Sequence, residues 1–297
     1  MDIGTLASRF SNLFVFGASN PLGRNSYPNQ VMKITSKDIK EFYDFNYTPK
    51  NTRLVFCGKL DKAKIKTLVD FYFGDWQTVY GENNQVNIEN PSFKGREFAF
   101  VNRDDATQVC LYWTKKAPGF GDKDLLAFKI AQNVFNKKLF EEVREKLGKT
   151  YGINMSFSET QNKKVYNIGT QTRSAEMYNT IIAVDKVLED FYNNGISEKE
   201  FKNSCLKIKN SYLSISSPDG ICGFYNYLCY PDVAKRMNII NELEAQSIEN
   251  INKVIKKYFN SESYKLMIAG NEKDLKDQLA KLKGLQKFES NAIEIDQ

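Results

Sequence analysis

The chain has 297 residues, of which 41% are hydrophobic and 26% charged, with a net charge of +6. That composition fits a folded protein large enough for two domains; no apolar run approaches the ~18 residues of a membrane span, and residues 1–20 lack a signal-peptide pattern. Histidine is absent, which excludes Ser–His–Asp and Cys–His nucleophilic sites and any imidazole-built zinc site within this chain.

Residues 36–47 (SKDIKEFYDFNY) predict a helix capped by Ser36, with Ile39, Phe42, Tyr43 and Tyr47 recurring at helical spacing. Thr52–Cys57 reads as a strand stopped by Gly58, and Asp61 caps a second helix to Phe73. The polar stretch 77–95 has no period and reads as a linker leading into a strand. Glu97–Asn102 and Gln108–Thr114 alternate as strands, and Asp122–Lys146 is one long helical stretch ended by Gly148. Tyr151–Ser158 and Val165–Thr172 form a hairpin turned by residues 160–163. A helix follows over 174–193, burying Met177, Ile181, Val184, Val187, Leu188 and Phe191, and another begins at Ser197 with Glu200 as a capping box. More helix lies between Gly220 and Tyr258, then a strand at Tyr264–Ala269, a helix at Glu272–Leu282 and a frayed tail. Helical blocks separated by adjacent strands imply an α+β fold.

Only eight of the 42 basic residues are arginine, and the lysines sit at helical spacing beside acids. This is the pattern of solvated helix faces rather than of nucleic-acid binding. The five cysteines, Cys57, Cys110, Cys205, Cys222 and Cys229, include no CxxC pair. They read as small buried hydrophobes, not as a disulfide framework or a metal site. A reducing, cytoplasmic compartment is the favoured expectation, and an exported one stays open if the chain is a fragment.

Two segments repeat at an offset of 212 residues. Ile39, Tyr43 and Tyr47 align with Ile251, Ile255 and Phe259; Leu54, Phe56 and Gly58 align with Leu266, Ile268 and Gly270. Such a repeat reads as duplicated domains. On that arithmetic the chain holds the C-terminal part of a first unit (1–80), a linker (81–94), a complete second unit (95–285) and a tail (286–297). About 115 residues of the first unit would be missing.

Asn20-Pro21-Leu22-Gly23-Arg24, the stretch ITSKDIKEFYDFNYTPKNTRLVFCGKL, FYFGDW, and Phe140–Gly152 (FEEVREKLGKTYG) resemble the pitrilysin/insulinase-type zinc metallopeptidases, which include the mitochondrial processing peptidase. Many members have histidine where this chain has Asn20. The resemblance implies duplicated metallopeptidase-like domains, each an antiparallel-rich mixed sheet with helices packed on one face, the first domain being truncated here. It places zinc on a His-x-x-Glu-His motif in the first domain, so zinc is expected only in a missing or partner domain and no cofactor in this chain. By the same resemblance Arg144 and Tyr151 reach across to the scissile carbonyl and stabilise the oxyanion, while Gly152, Ile153 and Asn154 line an edge strand that takes extended peptide. A surface helix residue, an ordinary strand tyrosine and a strand paired within its own sheet remain the alternatives. The expected partners are a peptide substrate and a His-x-x-Glu-His-bearing domain or subunit. The expected function is the zinc-free half of such a protease, inactive alone; the alternative is a non-catalytic scaffold or peptide-binding subunit.

Overall fold

The computed structural model describes residues 2–77, 88–119, 121–146, 148, 150–158, 163–215, 217–228 and 239–288. The chain divides into two compact units that interleave along the sequence. One comprises Met1–Tyr27, Ile88–Leu206 and Ala245–Gln297; the other comprises Pro28–Asn87 and Lys207–Glu244.

The first unit opens with α1 (Ile3–Phe16), which the sequence reading did not anticipate; its N-cap Asp2 accepts from the amides of Gly4 and Thr5. In the second unit, α2 (Pro28–Val31) precedes α3 (Ser36–Asn46), a short Pro49–Asn51 turn and α4 (Lys62–Phe73). The cap of α3 is Thr35 and not Ser36. The Thr35 hydroxyl accepts from the Asp38 amide at 3.2 Å while Asp38 accepts from the Thr35 amide at 2.7 Å, a complete capping box that Ser36 cannot make. Asp61 caps α4 as expected, through the amides of Ala63 and Lys64. Thr52–Cys57, expected as a strand, joins no ladder among the described residues. Its β-favouring residues have no neighbouring strand to pair with.

The remaining elements are β1 (Arg96–Asn102), β2 (Gln108–Lys116), α5 (Leu125–Leu139), a π-helical segment (Phe140–Lys146), β3 (Thr150–Phe157), β4 (Val165–Arg173), α6 (Met177–Asn194), α7 (Glu198–Leu213), α8 (Pro218–Leu228), α9 (Ile239–Glu244), α10 (Ile248–Tyr258), β5 (Tyr264–Gly270), α11 (Glu272–Leu279) and β6 (Gln286–Phe288). The expected long helix 122–146 therefore changes winding at Phe140. The expected capping box at Ser197 is present, with Glu200 accepting from the Ser197 amide at 2.8 Å. The segment 78–87, most of the hairpin turn and residues 289–297 lie outside the described residues.

The six strands form one mixed sheet in the order β3-β4-β2-β5-β1-β6. The pairs β3–β4, β4–β2 and β2–β5 are antiparallel, whereas β5–β1 and β1–β6 are parallel. The α+β class and the antiparallel-rich mixed sheet match expectation; helices on one face only do not. On one face α1 sets Leu6, Ala7 and Phe10 against Ala99, Val101, Cys110, Met267 and Ala269. On the other, Phe128, Phe135, Phe191 and Tyr166 surround Phe259 at 5.1–5.4 Å between ring centres. Both faces of β5 are apolar, so both need a cover, and a strand buried on two faces reads as a continuous apolar run. Among the described residues no helix is long and apolar enough to cross a membrane.

Candidate functional site

The segment that carries Arg144 is built by a change of helical winding. The α5 helix buries Phe128, Ala131, Phe135 and Leu139 on one side. It then continues as the π-helical turn Phe140–Lys146, anchored by the fully buried Val143. Single π-turns inside helices recur at functional sites because they re-aim side chains. Here the turn leaves Arg144 exposed, with its guanidinium 4.7 Å from the centre of the Phe140 ring. The chain then reverses through Gly148, whose φ of +59° is a left-handed conformation that suits glycine, and whose amide donates to the Arg144 carbonyl at 3.1 Å.

β3 follows at once, as an edge strand of the sheet. Its pairing with β4 is irregular between Thr150 and Ile153, so Tyr151 and Gly152 sit in a bulge. Hydroxyls hold the bulge: Thr150 donates to the Gln171 carbonyl at 2.6 Å and accepts from the Gly152 amide at 3.2 Å, while Thr170 donates to the Gly152 carbonyl at 2.8 Å. Arg144 and Tyr151 thus flank one turn at the same end of β3; the Tyr151 side chain lies outside the described part.

The three residues expected to bind peptide differ in what they present. Gly152 is exposed, but its backbone groups are committed to the two threonines. The Ile153 side chain is buried, 4% exposed. Asn154 points its side chain to solvent. At Met155 both backbone groups turn away from β4: its amide donates to Asn136 Oδ1 at 2.6 Å, and its carbonyl accepts from Asn136 Nδ2 at 3.1 Å. Antiparallel ladders alternate, so the backbone of Ile153 faces the same outer edge and that of Asn154 faces β4. The α5 side chain Asn136 therefore occupies one position of the edge as a short peptide mimic, which is one way to protect an edge strand. Sequence reasoning missed this residue. Its signal was a poor helix former in mid-helix, between Phe135 and the exposed Lys137.

A second concave feature, of about 540 Å³, lies at the opposite end of the sheet, lined by residues that include Lys115, Lys116, Lys164, Lys257, Asp122 and Tyr258. Lys115 is buried and donates to the carbonyls of Asn260 and Ser263, both at 2.6 Å. Burial lowers its pKa to about 7. Burial also pushes Asp185 up to about 6, although Arg96 lies 3.3 Å away and the Tyr264 hydroxyl donates to it at 3.2 Å. Lys257 is paired with Asp124 at 2.6 Å. The cavity gathers the positive charge of several lysines.

The chain does not fit the zinc of the family it resembles. It has no histidine, and among the described residues no cluster of three or more Cys, Asp or Glu could hold a metal ion.

A family model described as the peptidase M16 inactive domain matches residues 33–206. No curated protein matches the sequence. Among solved structures, the peptidase M16 inactive domain from Pseudomonas fluorescens superposes with a TM-score of 0.79 at 19% identity, covering 91% of this chain and 66% of that one. A protease from Helicobacter pylori gives 0.72 at 17% identity, covering 84% and 62%. The periplasmic protease PqqL from Escherichia coli gives 0.63 at 15% identity, covering 89% and 30%. At these identities the likeness shows the fold. The chain spans about two thirds of the length of the first two and under a third of PqqL.

Proposed function

The chain belongs to the peptidase M16 family as an inactive-type domain, and on that premise we propose that it is the zinc-free half of an M16 metallopeptidase. The observation that supports this reading is the π-turn and Gly148 reversal, which deliver an exposed arginine and the bulge at Tyr151 to one end of an edge strand. A guanidinium there can donate to a peptide carbonyl, and the resemblance makes the Tyr151 phenol a second donor. Donors aimed at an oxygen that gains charge stabilise the transition state more than the ground state. The hydrolytic centre belongs to the partner, a domain or subunit with His-x-x-Glu-His. Extended peptide adds at the start of β3 through the outward backbone of Ile153, beside the exposed Asn154, and its reach along the strand ends at Asn136.

Two measurements test this. The pure chain should show no chelator-sensitive peptide cleavage; stoichiometric catalytic zinc with such cleavage would sink the reading. In the enzyme reconstituted with its partner, Arg144→Ala and Tyr151→Phe should each lower kcat by about 10²-fold. Unchanged rates return both residues to ordinary surface roles. A second reading, a scaffold subunit that assembles with an active partner, is favoured by one contact: Asn136 seated on the backbone of Met155, where a peptide strand would continue.

A further inference from the structure

The 212-residue offset seen in the sequence is kept by the elements. α3 (Ser36–Asn46) and α10 (Ile248–Tyr258) are both 11 residues long and begin and end at that offset. Each is capped at the same point, by Thr35 and by Ser247, whose hydroxyl accepts from the amide three residues on. The ends of α1 and α8, Phe16 and Leu228, keep the offset too.

The surroundings of the two copies differ. Ile251, Ile255, Phe259, Leu266 and Ile268 are each 0% exposed. Their counterparts Ile39, Tyr43, Tyr47, Leu54 and Phe56 are 62%, 53%, 55%, 46% and 52% exposed. β5 is paired on both edges, parallel to β1 and antiparallel to β2. Thr52–Cys57 has no ladder among the described residues. This segment touches one helix: the free thiol of Cys57, the counterpart of Ala269, shares a hydrogen bond with that of Cys222 in α8, the counterpart of Phe10 of α1. α1 packs on β5, whereas Thr52–Cys57 meets α8 through that one thiol contact.

We infer that the open face carrying Ile39, Tyr43, Tyr47, Leu54 and Phe56, with both edges of Thr52–Cys57, is the docking surface for the front half of a second M16-type unit. That occupant brings the counterparts of β1, β2, α5 and α6 and has no central strand of its own. This chain supplies the central strand, parallel to one neighbour and antiparallel to the other. The inference rests on the zinc-free-half reading and names the contact that joins the halves. Three observations choose this occupant. The exposed residues are those that β1, β2, α5 and α6 bury in the other copy. An apolar face this continuous, beside unpaired backbone, is an interaction surface rather than scattered exposure. A second copy of this chain does not serve, because its β1 and β2 are already paired to its own β5. The Pseudomonas fluorescens structure also has about a third of its length with no counterpart in this chain, enough for such a half.

The test places a photo-crosslinking benzoylphenylalanine at Tyr43 and, separately, at Phe56 in the full chain, expressed in its source cells, with crosslinked peptides sequenced by mass spectrometry. Phe56 should crosslink to a strand, and Tyr43 to an amphipathic helix, of an M16-type segment. Crosslinks to a second copy, to an unrelated protein or to nothing overturn the inference. An M16-type segment without His-x-x-Glu-His upholds the docking and removes the zinc-peptidase reading instead. With the captured segment purified, Phe56→Asp should weaken association at least about tenfold and leave the melting temperature of the free chain unchanged, since Phe56 is half exposed there. Association at wild-type strength overturns the inference. Ile268→Asp, at the buried counterpart, should unfold the free chain.

Discussion

α3 and α10 start from the same capping chemistry, the same length and the same spacing of apolar residues, yet one is bare and the other is sealed. In α10 the apolar stripe meets α5 and α6 on one face of the sheet, and Phe259 just beyond it closes an aromatic cluster. In α3 the same stripe faces outward, with Tyr47 stacked on Tyr43 at 5.0 Å between ring centres. The helix itself forms in both places, because caps and spacing are local. What differs is the hydrophobic return, which needs a second surface.

A pair of truncations read by urea unfolding should separate the two helices most. Phe259→Ala should cost about 3–5 kcal/mol, as a large side chain removed from a packed cluster. Tyr47→Ala should cost under about 1 kcal/mol in the free chain, as an exposed substitution does. Equal costs would mean that α3 and α10 are equally covered.

A smaller difference lies in the pH response, because Asp185 and Lys115 are both buried in the unit that holds β5. Asp185 is raised to about 6 by burial, so the folded state holds its proton more tightly than the unfolded chain. Its contribution is greatest below the unfolded carboxylate pKa and is lost as pH rises through 6, on the order of 2–3 kcal/mol. Lys115 is lowered to about 7, so the unfolded chain binds that proton more tightly and stability recovers as pH rises above 7. Unfolding midpoints for this unit should therefore pass through a minimum between pH 6 and 7. Asp185→Asn should flatten the acid side of that minimum, and a slope that survives the substitution assigns it to another group.

The smallest effect is expected at the edge of β3. Asn136→Ala removes both bonds to Met155 and should cost about 1–2 kcal/mol. It should also tighten binding of an extended peptide to the freed edge, measured by fluorescence anisotropy. Weaker binding would show that Asn136 holds β3 in its binding-competent form rather than blocking it.

Much of this fold was legible because it is local. Asp61 before Lys62–Phe73, Ser197 with Glu200, and the stripe Met177–Phe191 each announce a helix by cap or by period. The strands β1, β2, β4 and β5 announce themselves by β-branched and aromatic runs. Other features depended on partners far along the chain. β6 is three residues long and exists only because β1 offers it an edge. The π-turn at Phe140–Lys146 has no signature separate from that of the α-helix it continues. At the candidate site, the strand Tyr151–Ser158 was legible as half of a hairpin, while the roles of Arg144 and Tyr151 came from resemblance. Asn136 could not be found that way, since nothing in its spacing to Met155 marks a contact across 19 positions.

Residue inventory and local pattern were enough for the absence of imidazole chemistry, the α+β class, several helix ends and the matched spacing of α3 and α10. These follow from residue inventory, capping and periodicity, each settled within a few residues of chain. The three-dimensional packing decides that the stripe of α10 is buried and that of α3 exposed, and that among the described residues Thr52–Cys57 joins no ladder while Tyr264–Gly270 becomes a central strand. A β-strand is completed by its neighbours' hydrogen bonds and a hydrophobic stripe by the surface laid against it, and neither partner is written in the segment that needs it.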